Sequence, residues 1–148
     1  MKIVIDTNVL INGFKDDYSY EKKIIDEVIN GNIEAFANKQ TFQENKLLLS
    51  KIIKSDDYRK QLNDFFAQAG SVINKRRIRA VRDPEDNKIL ESAVEAKADY
   101  LITSDNDLLT MTKYQNVKIV TPGQFWVKYK DEGMDLWRKW TNFISNGK

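Results

Sequence analysis

Two hydrophobic runs in this chain each end on a carboxylate. Lys2-Ile3-Val4-Ile5 runs straight into Asp6, and Tyr100-Leu101-Ile102-Thr103 passes through Ser104 into Asp105. Short unbroken apolar runs of this kind read as buried strands. A strand buried on both faces needs helices over both, which is the layering of a parallel sheet. In open sheets of that class, ligands gather beyond the carboxyl ends of the strands. Either aspartate alone reads equally well as a cap on the helix that follows. Both together, on strands expected to be neighbours, favour a shared acidic site.

The remaining pattern supports this layering. The periodicity predicts helices over 18–30, 41–54, from Ser55 or Asp56 to Ala69, from Asp83-Pro84 through Ala96, over 108–113, and from Thr121-Pro122 onward. Gly31 and Gly70 stand where two of these helices should end. Ile33 to Ala37 and Val117 to Val120 read as further strands, and Ser71 to Arg82 as extended structure alternating with basic residues. Strands alternating with helices predict an α/β fold, a mainly parallel central sheet flanked by helices. An extra C-terminal helix begins near Asp131, with Leu136, Trp137, Trp140, Phe143 and Ile144 on one face. Packing on its own domain is the default for such a face, a dimer seam or a partner's docking surface the alternative.

Composition narrows the chemistry. With 148 residues, 41% of them hydrophobic, the chain suits one domain with a real core. No apolar run approaches the roughly 20 residues of a membrane helix, and the first run is too short for a signal peptide; a cytoplasmic protein is expected. The absence of Cys and His excludes disulfides, thiolate nucleophiles, Cys/His zinc sites and any His-based catalytic triad within the chain. An all-oxygen site points to Mg²⁺ or Mn²⁺.

More acids fall between the two strand ends. Thr41 with Glu44 forms a capping-box pattern, and Asp83-Pro84-Glu85-Asp86 opens a helix, with Asp83 as its cap. Asp86 fits a capping role or a site facing the sheet end; Asp107 fits a site or the surface. Converging carboxylates repel: two unit charges about 4 Å apart cost about 4 kcal/mol at an effective dielectric near 20. Such a cluster takes up protons or binds a hard divalent cation. A cation there implies metal-assisted chemistry, most naturally on a phosphate. Net charge is only +2, but Lys75, Arg76, Arg77, Arg79 and Arg82 crowd one short segment. That segment is a candidate contact for a phosphate backbone or simply a solvated face. Tyr18, Tyr20, Tyr58 and Tyr114 are candidates for base stacking.

The run Ile3 to Leu10, then Glu44, then Asp83 to Asn87, then Leu101 to Leu109, and finally Ile119 to Phe125 resembles the PIN-domain family. It is similar in particular to the PIN toxins of prokaryotic toxin-antitoxin pairs. The resemblance covers roughly residues 1–130 and leaves 131–148 as a helical extension, packed on the domain or at an interface. It implies a Mg²⁺- or Mn²⁺-dependent endoribonuclease cutting single-stranded or looped RNA. It also implies metal ligands at Asp6, Asp86 and Asp105, with Glu44 completing an acidic quartet and Thr7, Asn8 and Ser104 lining the site. Glu34 lies too early to replace Glu44. An antitoxin partner and a homodimer are further implications. The alternative is a non-catalytic RNA-binding or scaffold module on the same fold. A haloacid-dehalogenase-type phosphohydrolase would need an aspartate where Asn8 stands.

Overall fold

The computed structural model describes residues 1–146. A six-stranded sheet has the order β3-β2-β1-β4-β6-β5. Its strands are β1 (Lys2–Ile5), β2 (Glu34–Asn38), β3 (Gly70–Val72), β4 (Tyr100–Ile102), β5 (Lys113–Tyr114) and β6 (Val117–Val120). The helices are α1 (Thr7–Gly13), α2 (Tyr20–Ile29), α3 (Lys39–Ile52), α4 (Asp56–Gln68), α5 (Pro84–Glu95), α6 (Asn106–Leu109) and α7 (Pro122–Asn146). All pairings are parallel except β5 with β6. The expected α/β layering is therefore present.

The β1 side chains show why the sheet is covered twice. Ile3 and Ile5 enter a core with Ile24, Ile25, Phe65 and Phe125, on the side of α1, α2, α4 and α7. Val4 points the other way, into a core with Leu90, Ala93, Leu101 and Leu108, under α5 and α6. The period of two thus buries every β1 residue after Lys2. The chain leaves β1 towards β2 and returns through α5 to β4, on β1's other side. That reversal opens a crevice at the carboxyl ends of β1 and β4. The two strands end in register, Ile5 beside Ile102, and the Asp6 N–H donates to the Ile102 carbonyl at 2.9 Å.

Several local expectations are corrected. Thr7 to Gly13 is a helix that periodicity did not mark; Gly13 lets it lie against α2, since a Cβ there would meet Ile25 at 2.3 Å. Helix α3 starts at Lys39, not Thr41, because Asn38 is the cap and accepts from the Thr41 N–H at 2.8 Å. The Thr41–Glu44 capping box is absent as a result. Leu49 on α3 and Ile53 just after it face inward, whereas Leu48 and Ile52 are exposed. Gly70 does not close α4; it opens β3, where a Cβ would strike the Phe36 ring at 2.6 Å. The helix expected over 108–113 is the short α6, followed by a hairpin of β5 and β6 whose turn uses positive φ at Gln115. Extended structure from Ser71 reduces to β3, ending at Val72.

Thr121 opens α7 with a reciprocal cap: its Oγ1 accepts from the Gln124 N–H, and Gln124 Oε1 accepts from the Thr121 N–H. Phe125 anchors the helix in the core, and the Tyr129 hydroxyl donates to Glu27 of α2. From Asp131 to Asn146 the helix leaves the domain, and only Thr141 is less than exposed. The aromatic face therefore does not pack on its own domain, contrary to the default expectation. Residues 147 and 148 lie outside the described residues. No described helix is long and apolar enough to cross a membrane.

Candidate functional site

Asp6 follows β1 directly and is half-buried in the crevice. Its side chain makes no capping hydrogen bond to α1. Instead Oδ2 accepts from the Thr103 hydroxyl at 2.8 Å. Thr103, fully buried just after β4, also accepts from the Asp105 N–H at 3.0 Å. One hydroxyl thus ties the two strand-end aspartates together. Burial pushes the Asp6 carboxyl above its ordinary range, and the negative charge of Asp105 adds to this; the Thr103 hydroxyl and the N–H groups of Thr7 and Asn8 oppose it.

Asp105 caps α6, accepting from the Asp107 N–H at 2.9 Å. Asp86 sits in the first turn of α5, where Asp83 already does the capping by accepting from the Glu85 N–H. Its carboxyl is free to face the sheet end. There Asp86, Asp105 and Asp107 each present a carboxylate oxygen within 4.8 Å of the others. Burial, then the charge and hydrogen bonding of Asp105, then Asp83 and Asp6, raise Asp86 to about 6. This donor set, carboxylate oxygens alone, fits Mg²⁺ or Mn²⁺ rather than a softer metal.

The shift has a testable sign. A carboxyl raised above its unfolded value disfavours folding when ionised, and that cost disappears as pH falls through the folded pKa of about 6 towards 3.8. In EDTA, Asp86→Asn is expected to melt above the parent protein near neutral pH. The gap should close by about pH 4. A pH-independent gap would mean that Asp86 does not titrate between those values.

The other sequence candidates divide. Thr7 is half-buried and donates to Asn45 Oδ1 at 2.9 Å. Asn8 and Ser104 are exposed. Glu44 is exposed on α3, accepts from the Gln40 amide at 3.0 Å, and is not a member of the acidic group. Asn45, one residue on, turns inward. Glu34 begins β2, at the end of the sheet away from the crevice. Tyr18 is 91% exposed, the Tyr58 hydroxyl donates to Asp17, and none of the four tyrosines lines the cavity or groove beside the carboxylates.

A cavity of about 90 Å³ holds Asp6 and Asp86 and is bounded by Asn38, Thr41 and Lys88. Beside it, sharing Asn38 and Lys88, lies an open groove of about 610 Å³ that Lys39 and Arg77 also line. Of the basic segment only Arg77 lines this groove, and the segment is held by its backbone. Asn87 accepts from the Ala80 and Val81 N–H groups at 3.0 Å and donates to the Val81 carbonyl at 2.8 Å. Glu91 accepts from the Ile78 N–H at 2.7 Å, and Glu95 from the Lys75 N–H at 3.1 Å. Lys75, Arg76, Arg77, Arg79 and Arg82 are all exposed. Among the described residues the ion pairs are Lys22–Asp26 and Lys88–Glu85, so none engages these cations.

A family model described as PIN domain matches residues 2–107. A protein of Methanocaldococcus jannaschii, described only as uncharacterized, is 29% identical over 139 residues, which cover 84% of this chain and 89% of that protein. No solved structure gives a significant match.

Proposed function

The chain belongs to the PIN-domain family, and from that membership we propose that it is a divalent-metal-dependent endoribonuclease, the toxin of a toxin-antitoxin pair. The family has a nuclease-type fold, often metal-dependent. The observation that carries the proposal is the convergence of Asp86, Asp105 and Asp107 beside Asp6, at the one place where the sheet order reverses. Asp6, Asp86 and Asp105 would hold Mg²⁺ or Mn²⁺, with Asp107 alongside. Such an ion supplies Lewis acidity to a phosphodiester oxygen and lowers the pKa of water.

The chain's own groups have separate tasks. Thr103 fixes the Asp6 carboxylate and the Asp105 backbone together, so the acids keep their spacing. Asn38 and Lys88 sit where the acidic cavity meets the groove, and Lys88 carries positive charge to that edge. The basic segment offers five cations to a phosphate backbone. These contacts position RNA without reading its sequence. The acidic cavity alone would repel a polyanion; Lys39, Arg77 and Lys88 in the adjoining groove offset that repulsion.

The toxin role and an antitoxin partner rest on the resemblance to PIN toxins. A small neighbouring reading frame for a DNA-binding antitoxin would support them. The enzymatic reading is tested by incubating purified protein with a mixed pool of structured RNAs in Mn²⁺, Mg²⁺ or EDTA, beside Asp6→Asn. Cleavage that needs metal and disappears in Asp6→Asn is the expected result. Cleavage that survives both EDTA and the substitution would sink the metal mechanism.

A further inference from the structure

Resting on the ribonuclease reading above, we propose that the groove beside the acidic cavity is a base-reading subsite. In it Gln40 and Gln43 hydrogen-bond one unpaired base, which packs on Ile73. The acidic cavity, at about 90 Å³, is too small for a base. The groove measures about 610 Å³, and sites for drug-sized molecules run from about 300 to 1,000 Å³; a nucleotide is of that size. Cavity and groove share Asn38 and Lys88. A phosphate drawn to Lys88 for cutting therefore leaves a neighbouring base at the groove.

The lining suits a base as well as phosphates. Lys39, Arg77 and Lys88 supply charge for the backbone, and such contacts do not choose among sequences. Ile73 adds an apolar surface, 70% exposed. On a loose segment an exposed isoleucine would carry no weight, but both neighbours of Ile73 are held. Val72 packs against the core under α5. Asn74 donates to the Lys88 carbonyl at 3.2 Å and accepts from the Ser92 hydroxyl at 3.2 Å. Among the described residues no aromatic ring lines the groove, so Ile73 is the surface on which a base can pack.

Helix α3 brings two amides to the same groove, Gln40 and Gln43, about one turn apart. Asn38 is committed to the fold: its Oδ1 accepts from the Thr41 N–H and its amide donates to Ser92 at 3.4 Å. The glutamines are freer. Gln40 donates to Glu44 and keeps its carbonyl oxygen, while Gln43 is exposed with its whole amide available among the described residues. An amide offers a donor and an acceptor side by side, and a base edge answers with an acceptor and a donor. In a duplex those edges are already paired, so the nucleotide in the groove is unpaired.

The test incubates the full chain in Mn²⁺ with RNA carrying a randomised unpaired loop, and the cut ends are sequenced. One base is expected in several-fold excess at a fixed position beside the cut, and Gln43→Ala should flatten that preference. Ile73→Ala should instead weaken binding of all four bases several-fold and keep their order. Both sites are exposed, so the melting temperatures of both variants should match the parent's. Binding is read by fluorescence anisotropy with short RNAs differing at one central base, on Asp6→Asn protein, in which cutting is expected to be absent. If no metal-dependent cutting occurs at all, the nuclease reading fails, and the anisotropy series alone decides the subsite. Equal treatment of all four bases in that series, or a preference that Gln43→Ala leaves intact, overturns it.

Discussion

Asp105→Asn is expected to lower metal-dependent RNA cleavage by at least about 10²-fold, the scale of losing one electrostatic contact at a reacting centre, while the metal-free protein melts at a higher temperature. The two effects share one cause. Asp105 adds negative charge next to Asp86 and Asp6 and raises the pKa of both. Without a cation that charge is a cost. Removing it should recover on the order of 1 kcal/mol, given half-exposed groups in a screened setting. For a domain of this size the rise is about 2–4 °C. Asparagine caps a helix about as well as aspartate, so the bond from the Asp107 N–H, 2.9 Å in the parent, can persist. Added Mn²⁺ should raise the melting temperature of the parent and move the variant much less. Melting curves in EDTA and in Mn²⁺, run with cleavage assays, check both halves. A variant that melts lower in EDTA would make Asp105 a structural cap first, and unchanged cleavage at saturating Mn²⁺ would remove it from the site.

What was legible in the sequence follows from how local each signal is. The strand-then-acid device fixed β1 and β4 and put Asp6 and Asp105 at their ends, because a buried run and its terminus are contiguous in sequence. Asp83 as the cap of α5 was equally local. Thr103 was not legible as a site residue: it reads as the last residue of a strand, and only the pairing of β1 with β4 brings its hydroxyl to Asp6. Glu44 is not brought to the acidic group, for a similar reason. With the cap at Asn38, the helix presents Asn45, not Glu44, to Thr7, and one residue turns a helix face by about 100°. The clamp on the basic segment did carry a signal. Asn87, Glu91 and Glu95 are spaced by four along α5, one polar row beside the face that Leu90 and Ala93 turn to the core. A buried polar row needs partners, and the backbone of the basic segment supplies them.

That clamp gives the second large effect. Asn87→Ala is expected to cost about 2–4 kcal/mol, because it strips partners from two N–H groups and a carbonyl in a half-buried setting, each worth about 1–3 kcal/mol when left unmet. The three bonds are those to Ala80 and Val81. Denaturant unfolding measures the loss. RNA binding should also weaken, although no cation has been removed, since the segment must then be ordered at each encounter. Arg77→Ala separates positioning from charge. Arg77 is exposed and unpaired among the described residues, so stability should hold within about 0.5 kcal/mol. Each lost phosphate contact should flatten the dependence of log affinity on log salt by about 0.7 for a single strand. Asn87→Ala, by contrast, should lower affinity with little change in that slope. Equal slopes in the parent and Arg77→Ala would take Arg77 off the RNA path, and unchanged stability in Asn87→Ala would mean that Glu91 and Glu95 hold the segment without it.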